Sequence, residues 1–226
     1  MSKSKILNWT LHEIRLQMKN GMYGVYIFVN VVYIILLGYL PSEWKQTAST
    51  LLLLSDPTFL GMIFVGGILL LERNNSIPRG IGVSPLGSGG YIISKCISLM
   101  LIAELTAISI MLAGGIKITA LGLLAIMLCG SVFTMLGIVI GSVSRNINHF
   151  IILSVVSTIP AAFPIITFYF APRVFLFNWI PVYPVIRIIH GTTLVQELLL
   201  FTLLIIWVVG VYKLTRKVVE DRIFSR

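Results

Sequence analysis

The stretch Asp56–Lys95, DPTFLGMIFVGGILLLERNNSIPRGIGVSPLGSGGYIISK, decides how the rest of the chain is read. It opens on an uncharged apolar run, Pro57 to Leu71, that stops abruptly at Glu72 and Arg73. A polar segment rich in Gly and Pro follows, and a second apolar run begins at Tyr91. The first run is long enough, with the residues before it, to cross a bilayer core of roughly 30 Å at about 1.5 Å per helical residue. The pattern is therefore two membrane-spanning helices joined by a short polar connection, which is placed to pass movement between the bilayer and whatever lies outside it.

Working outward, the same apolar signature recurs. The 226-residue chain is 57% hydrophobic and only 11% charged, far more apolar than an ordinary soluble domain. Strand-type alternation is missing, so the fold class expected is all-α, an integral membrane protein with six transmembrane helices in one unit spanning 1–226. The spans expected are Met22 to Leu40, Thr50 to Leu71, Tyr91 to Leu112, Ile118 to Val143, Phe150 to Ala171 and Leu194 to Tyr212. Asp56 and Pro57 are read near the outer end of the second span, after a short polar loop carrying Glu43, Trp44 and Lys45. Gly130, Gly137 and Gly141 in the fourth suit close helix approach, and Pro160 and Pro164 in the fifth predict a kink or break.

Residues 1–20 place Ile6, Leu7, Thr10, Leu11, Ile14 and Met18 on one side at helical spacing, which reads as a helix lying along the membrane surface. The charges among them leave no apolar core for a cleavable signal peptide. Residues 172–193, within APRVFLFNWIPVYPVIRIIHG, are too polar for a full span and too apolar for a solvated loop, so a re-entrant or interfacial element on the outer side is expected.

The net charge of +9 is better explained by orientation of the spans than by nucleic acid. Of the 17 Lys and Arg, thirteen fall on the side of the termini and the Arg73–Lys95 connection, against Lys45, Lys117, Arg173 and Arg187 on the other. The positive-inside rule makes the first side cytoplasmic, with the protein in the plasma membrane. Cys96 and Cys129 lie in spans without metal-type spacing and read as buried thiols.

With that topology, the connection resembles the permease subunits of type-2 ABC transporters. The resemblance rests on an apolar second helix ending in Glu72 and Arg73, a short piece containing Val83, Ser84, Pro85 and Leu86, and Tyr91 and Lys95 opening the third helix. The amphipathic N-terminal helix, the six spans and the inserted element before the sixth extend it over nearly the whole chain. Within the family, the chain is similar to small drug-export permeases of the fluoroquinolone-exporter kind. Where many members have a Gly-Thr-Leu-Glu-like run, this chain has Ser76, Ile77, Pro78 and Arg79.

The resemblance implies that residues 72–90 are a cytoplasmic coupling segment, with a coupling helix docking into a separate ATPase subunit. Glu72 and Arg73 would sit at its hinge, and Arg79, Ser84, Pro85 and Leu86 would form the contact. It implies two copies of the ATPase, which would hold ATP and Mg, and a second permease, identical or homologous. The chain itself has no GxxxxGK[ST] phosphate loop, so neither nucleotide binding nor catalysis is expected in it, and no resident cofactor or metal. The substrate expected is drug-like, lipid-like or otherwise amphipathic.

Two acidic residues are candidates for a substrate pathway. Glu104 lies near the middle of the third span, about 13 Å along the helix from Lys95, where a carboxyl group is costly unless paired, protonated or facing a cavity. Asp56 is the other; its simpler role is to cap the irregular start of the second span. An ion- or proton-coupled secondary transporter using Glu104 is the alternative function, though no inverted repeat is recognisable. An intramembrane hydrolase built on His12, His149 and His190 is disfavoured, because neither HExxH nor GxSxG occurs.

Overall fold

A computed structural model describes residues 3–74, 87–170 and 176–224. The described residues are helical, with no strand among them, and the protein is a multi-pass membrane protein with six helical stretches long and apolar enough to cross a bilayer. The helices are α1 (Lys3–Lys19), α2 (Met22–Tyr39), α3 (Ser42–Leu53), α4 (Leu60–Asn74), α5 (Gly87–Gly114), α6 (Ala120–Val143), α7 (Ile147–Phe170), α8 (Val182–His190) and α9 (Leu194–Val219). A π-helical turn, Leu54–Thr58, joins α3 to α4, and another, Glu220–Phe224, follows α9. Gly21 turns the chain from α1 into α2 at φ +74°, a conformation that costs glycine nothing.

Helix α6 is the hub. It packs against α4, α5 and α9, and its small residues make the approach to α4 possible. A Cβ on Gly137 would run into the backbone and side chains of Met62 and Val65; one on Gly141 would meet Gly66 Cα at 3.2 Å, and one on Gly130 the Pro57 carbonyl at 3.3 Å. Without a hydrophobic driving force between helices in lipid, this backbone proximity supplies the packing. The close approach expected at all three glycines is therefore present. Thr119 caps the start of α6, its hydroxyl accepting from the Gly122 amide at 3.0 Å.

Three boundaries differ from the sequence reading. The polar residues Glu43, Trp44 and Lys45 are not a loop but the first turn of α3, so the second stretch runs Ser42–Glu72, 31 residues or about 46 Å. That exceeds the hydrocarbon core, and its polar start has room to project beyond it. Asp56 sits halfway along the continuous helical column Ser42–Glu72. Helix α7 continues through Pro160 and Pro164 without a break. The two prolines remove backbone donors from the helical ladder, and beyond them Thr167 donates its hydroxyl to the Pro164 carbonyl at 3.2 Å. The basic tail from Lys213 to Val219 extends α9 instead of leaving it as a coil.

Helix α1 packs against α5 through its polar face. Thr10, Glu13 and Gln17 are buried, while Leu7, Leu11 and Met18 are exposed. Helix α8 covers the ends of α6, α7 and α9, burying Val182, Val185, Ile186 and Ile188.

Candidate functional site

The ends of α4 and α5, between which residues 75–86 connect, are held together by a buried ionic cluster. Lys95 on α5 is 1% exposed. Its ammonium donates to Glu72 Oε1 on α4 at 2.6 Å and to both carboxylate oxygens of Glu13 on α1 at 3.1 Å. The Tyr91 hydroxyl, one turn earlier on α5, donates to the other Glu72 oxygen at 2.6 Å, and the Lys95 ammonium stands 5.0 Å from the Tyr91 ring centroid. One turn further along, Gln17 Nε2 donates to Ser98 Oγ at 2.9 Å, which in turn donates to the Lys95 carbonyl at 3.1 Å.

The local sequence explains the geometry. Glu13 and Gln17 lie one turn apart on α1, and Tyr91, Lys95 and Ser98 lie on one face of α5, so two helical stripes meet side by side. Glu72 reaches the same point because α4 keeps its helical form beyond the apolar run. All three ammonium hydrogens are engaged by carboxylates, and two carboxylates face one ammonium. Such a cluster is sustained only because its groups satisfy one another; removing one partner of a buried pair typically costs about 3–5 kcal/mol.

The start of α5 has a second tether. Ser88 Oγ donates to Glu220 Oε1 at 2.6 Å, Arg216 Nε donates to the same oxygen at 2.9 Å, and a Cβ on Gly89 would meet the Tyr212 hydroxyl at 2.7 Å. The helix that receives the connection is thus fixed to α1 and α4 on one side and to α9 on the other.

Among the residues singled out from the sequence, Glu72 lies in this cluster. Arg73 belongs to α4 by its backbone. Its side chain, and Arg79, Ser84, Pro85 and Leu86, lie outside the described residues. Glu13 was missed as a site residue, and Tyr91 and Lys95 were read only as the opening of a helix; the available signal was a buried-type stripe of Thr10, Glu13 and Gln17 repeating at helical spacing. Lys95 is not a charge at the water boundary, as the orientation count assumed, but an internal partner.

The two pathway candidates stand apart from the cluster. Asp56 is 1% exposed, and neither of its carboxylate oxygens has a hydrogen-bond partner. Glu104 is half-buried on α5, with Oε1 enclosed and unpartnered, beside the exposed Leu101 and Leu105.

Two cavities open on the bundle. One, of about 400 Å³, lies between the Leu54–Thr58 turn, α4 and α7, lined by Ser55, Phe59, Ile63, Ser154 and Thr158. The other, of about 320 Å³, is walled by Phe133, Phe163, Phe177, Trp179 and Trp207; there Trp207 Nε1 donates to the Trp179 carbonyl at 2.7 Å, the two indoles stack at 5.5 Å, and Phe163 stacks on Phe177 at 4.7 Å. Both fall within the size range of small-molecule pockets. No family model and no curated protein matches the chain.

Proposed function

We propose that the chain is the permease subunit of an ATP-driven exporter of the type-2 ABC kind, moving a drug-like, lipid-like or other amphipathic substrate with energy from a separate ATPase. The observation that carries this reading is the Lys95 cluster: Glu72 closes the helix before the 75–86 connection, Lys95 opens the helix after it, and both are locked to α1. A load applied to a connection clamped in this way moves three helices together instead of bending a loop. In this reading residues 72–90 are the coupling segment, Arg79, Ser84, Pro85 and Leu86 meet the ATPase, and Arg73 shares the hinge.

The remaining parts follow. Exposed Leu7, Leu11 and Met18 turn α1 into an interfacial helix with its apolar edge in lipid and its polar face on α5. Residues 172–193, with α8, form the re-entrant element on the outer side. The termini are cytoplasmic in the plasma membrane, two ATPase copies carry ATP and Mg, and a second permease, identical or homologous, completes the pathway. The two cavities accept the apolar part of a substrate, and Glu104, beside an exposed apolar face, is placed to meet a cationic one.

A second reading, an ion-coupled secondary transporter, is favoured by one observation, the unpartnered intramembrane carboxyls of Asp56 and Glu104. Proteoliposomes separate the two. With a partner ABC ATPase subunit added, ATP-dependent transport of an amphipathic dye is expected, and none with the permease alone. Uptake by the permease alone, driven by a sodium or proton gradient, overturns the first reading in favour of the second.

A further inference from the structure

A carboxyl group buried in a membrane protein without a partner is the costliest single feature of this chain. Asp56 is that group. It lies in the π-helical turn Leu54–Thr58, an element that often marks functional positions, and Pro57 next to it has no backbone N–H to give. Two hydroxyls of the turn also donate to its carbonyls: Thr58 Oγ1 to that of Leu53 at 3.4 Å and Ser55 Oγ to that of Leu52 at 3.3 Å.

The surroundings are rich in oxygen and poor in cations. On α2, Tyr26, Asn30 and Tyr33 follow one another at helical spacing on the inward stripe that also carries Leu37. The phenols of Tyr26 and Tyr33 are close enough to Asp56 to feel its charge. Between them, Asn30 spends its amide hydrogens on the Tyr26 carbonyl at 3.0 Å and the Thr106 hydroxyl at 2.9 Å. Its Oδ1 is left buried with no donor, like both oxygens of Asp56. Helices α5 and α6 also pack on the turn, and contribute Thr106 and the backbone at Gly130. The titratable groups in the middle of those helices are Glu104 and Cys129, and neither carries positive charge. Among the described residues no Lys, Arg or His hydrogen-bonds Asp56.

Three acceptor oxygens without donors, one formal negative charge, and a helix interrupted beside them form the chemistry of a hard monovalent cation. Interrupted helices serve as ion sites in membrane proteins for this reason, since carbonyls freed from the helical ladder add to a carboxylate. We propose that Asp56, with Asn30, is the anionic seat of a site for a monovalent cation, a sodium ion or a proton, inside the membrane-spanning bundle. At 1% exposure the carboxylate has no room beside it for an organic cation. The proposal is independent of the exporter reading: an ion here can drive transport, gate it or lock the closed bundle.

The test uses the purified full chain in lipid nanodiscs with no ATPase present. One arm measures binding of radioactive sodium against choline as the ionic-strength control. The other follows the carboxylic acid C=O band by infrared spectroscopy across pH and in deuterium oxide. A sodium ion as occupant gives saturable binding of about one ion per chain, weakened about tenfold or more in Asp56→Asn and in Asn30→Ala but unchanged in the exposed control Glu43→Gln. A proton as occupant gives no sodium binding, but a C=O band that titrates, shifts in deuterium oxide and disappears in Asp56→Asn. If Asp56→Asn does not fold, Asp56→Glu, which keeps the charge, must shift the sodium affinity or the band. Wild-type protein with neither sodium binding nor an exchangeable, titrating carboxyl band overturns the proposal and makes Asp56 a structural residue. So does a response that survives intact in the variants.

Discussion

Both carboxylate oxygens of Glu13 lie 3.1 Å from the Lys95 ammonium, although the two residues are 82 positions apart in the chain. Glu72 meets the same ammonium from a third helix, so the cluster holds two negative charges to one positive. That imbalance makes the three substitutions unequal. Lys95→Met leaves two carboxylates facing each other in a buried site and should cost about 3–5 kcal/mol. Glu13→Gln leaves a neutral Lys95–Glu72 pair and should cost less than about 1.5 kcal/mol, a single neutral hydrogen bond's worth. Thermal unfolding in detergent checks the order; equal losses in the two variants would show that charge balance is not what holds the cluster.

The hub helix gives a sterically defined test. A methyl at Gly137 meets the Met62 backbone, which cannot swing aside, whereas a Cβ at Gly67 has nothing within 4 Å. Gly137→Ala should lose about 1–3 kcal/mol by overpacking, and Gly67→Ala should be neutral or slightly stabilising, because alanine favours the helix. The difference between the two melting temperatures reads the α4–α6 approach directly.

The indole pair at the aromatic cavity can be probed by its own fluorescence. Trp207→Phe removes the hydrogen bond to the Trp179 carbonyl and part of the stacking, a loss of about 1–2 kcal/mol. With the segment 176–181 less firmly held, Trp179 emission should become more open to a lipid-phase quencher. Unaltered quenching would mean that the Trp179 backbone is held without Trp207.

The sequence reading succeeded wherever apolarity and length decide the outcome. Six spans and the glycine contacts of α6 are such cases, because a membrane helix must be long, apolar and small-sided where another backbone approaches. It failed where polar residues are buried. Lys95 looked like a boundary charge because nothing in one sequence says that Glu13 will arrive from 82 residues away. The Thr10, Glu13 and Gln17 face of α1 was overlooked for a related reason: an apolar stripe marks the lipid side of a surface helix, but nothing in it says which protein groups the polar side will meet. The polar letters of Ser42–Gln46 resemble a loop, yet they begin a helix whose other face packs on α5.

The exporter reading makes its sharpest claim about what α1 contributes. Helix α1 reaches the Lys95 ammonium through Glu13, so Glu13→Gln weakens that ionic link while leaving α4 and α5 joined by Glu72 and the Gln17–Ser98 hydrogen bond in place. Transport coupled to ATP should then fall several-fold while binding of the ATPase subunit stays intact, because the docking segment itself is untouched. Leu86→Asp should behave oppositely, placing an unpaired carboxylate in an apolar docking surface and lowering ATPase binding by about 1–3 kcal/mol, with the melting temperature of the isolated permease unchanged. Co-purification of the ATPase, ATP-driven dye transport in proteoliposomes and thermal stability, measured on both variants, form a two-by-two comparison. If Leu86→Asp retains full ATPase binding, the 72–90 segment is not the docking site; if Glu13→Gln transports at the wild-type rate, the cluster fixes the fold and carries no motion.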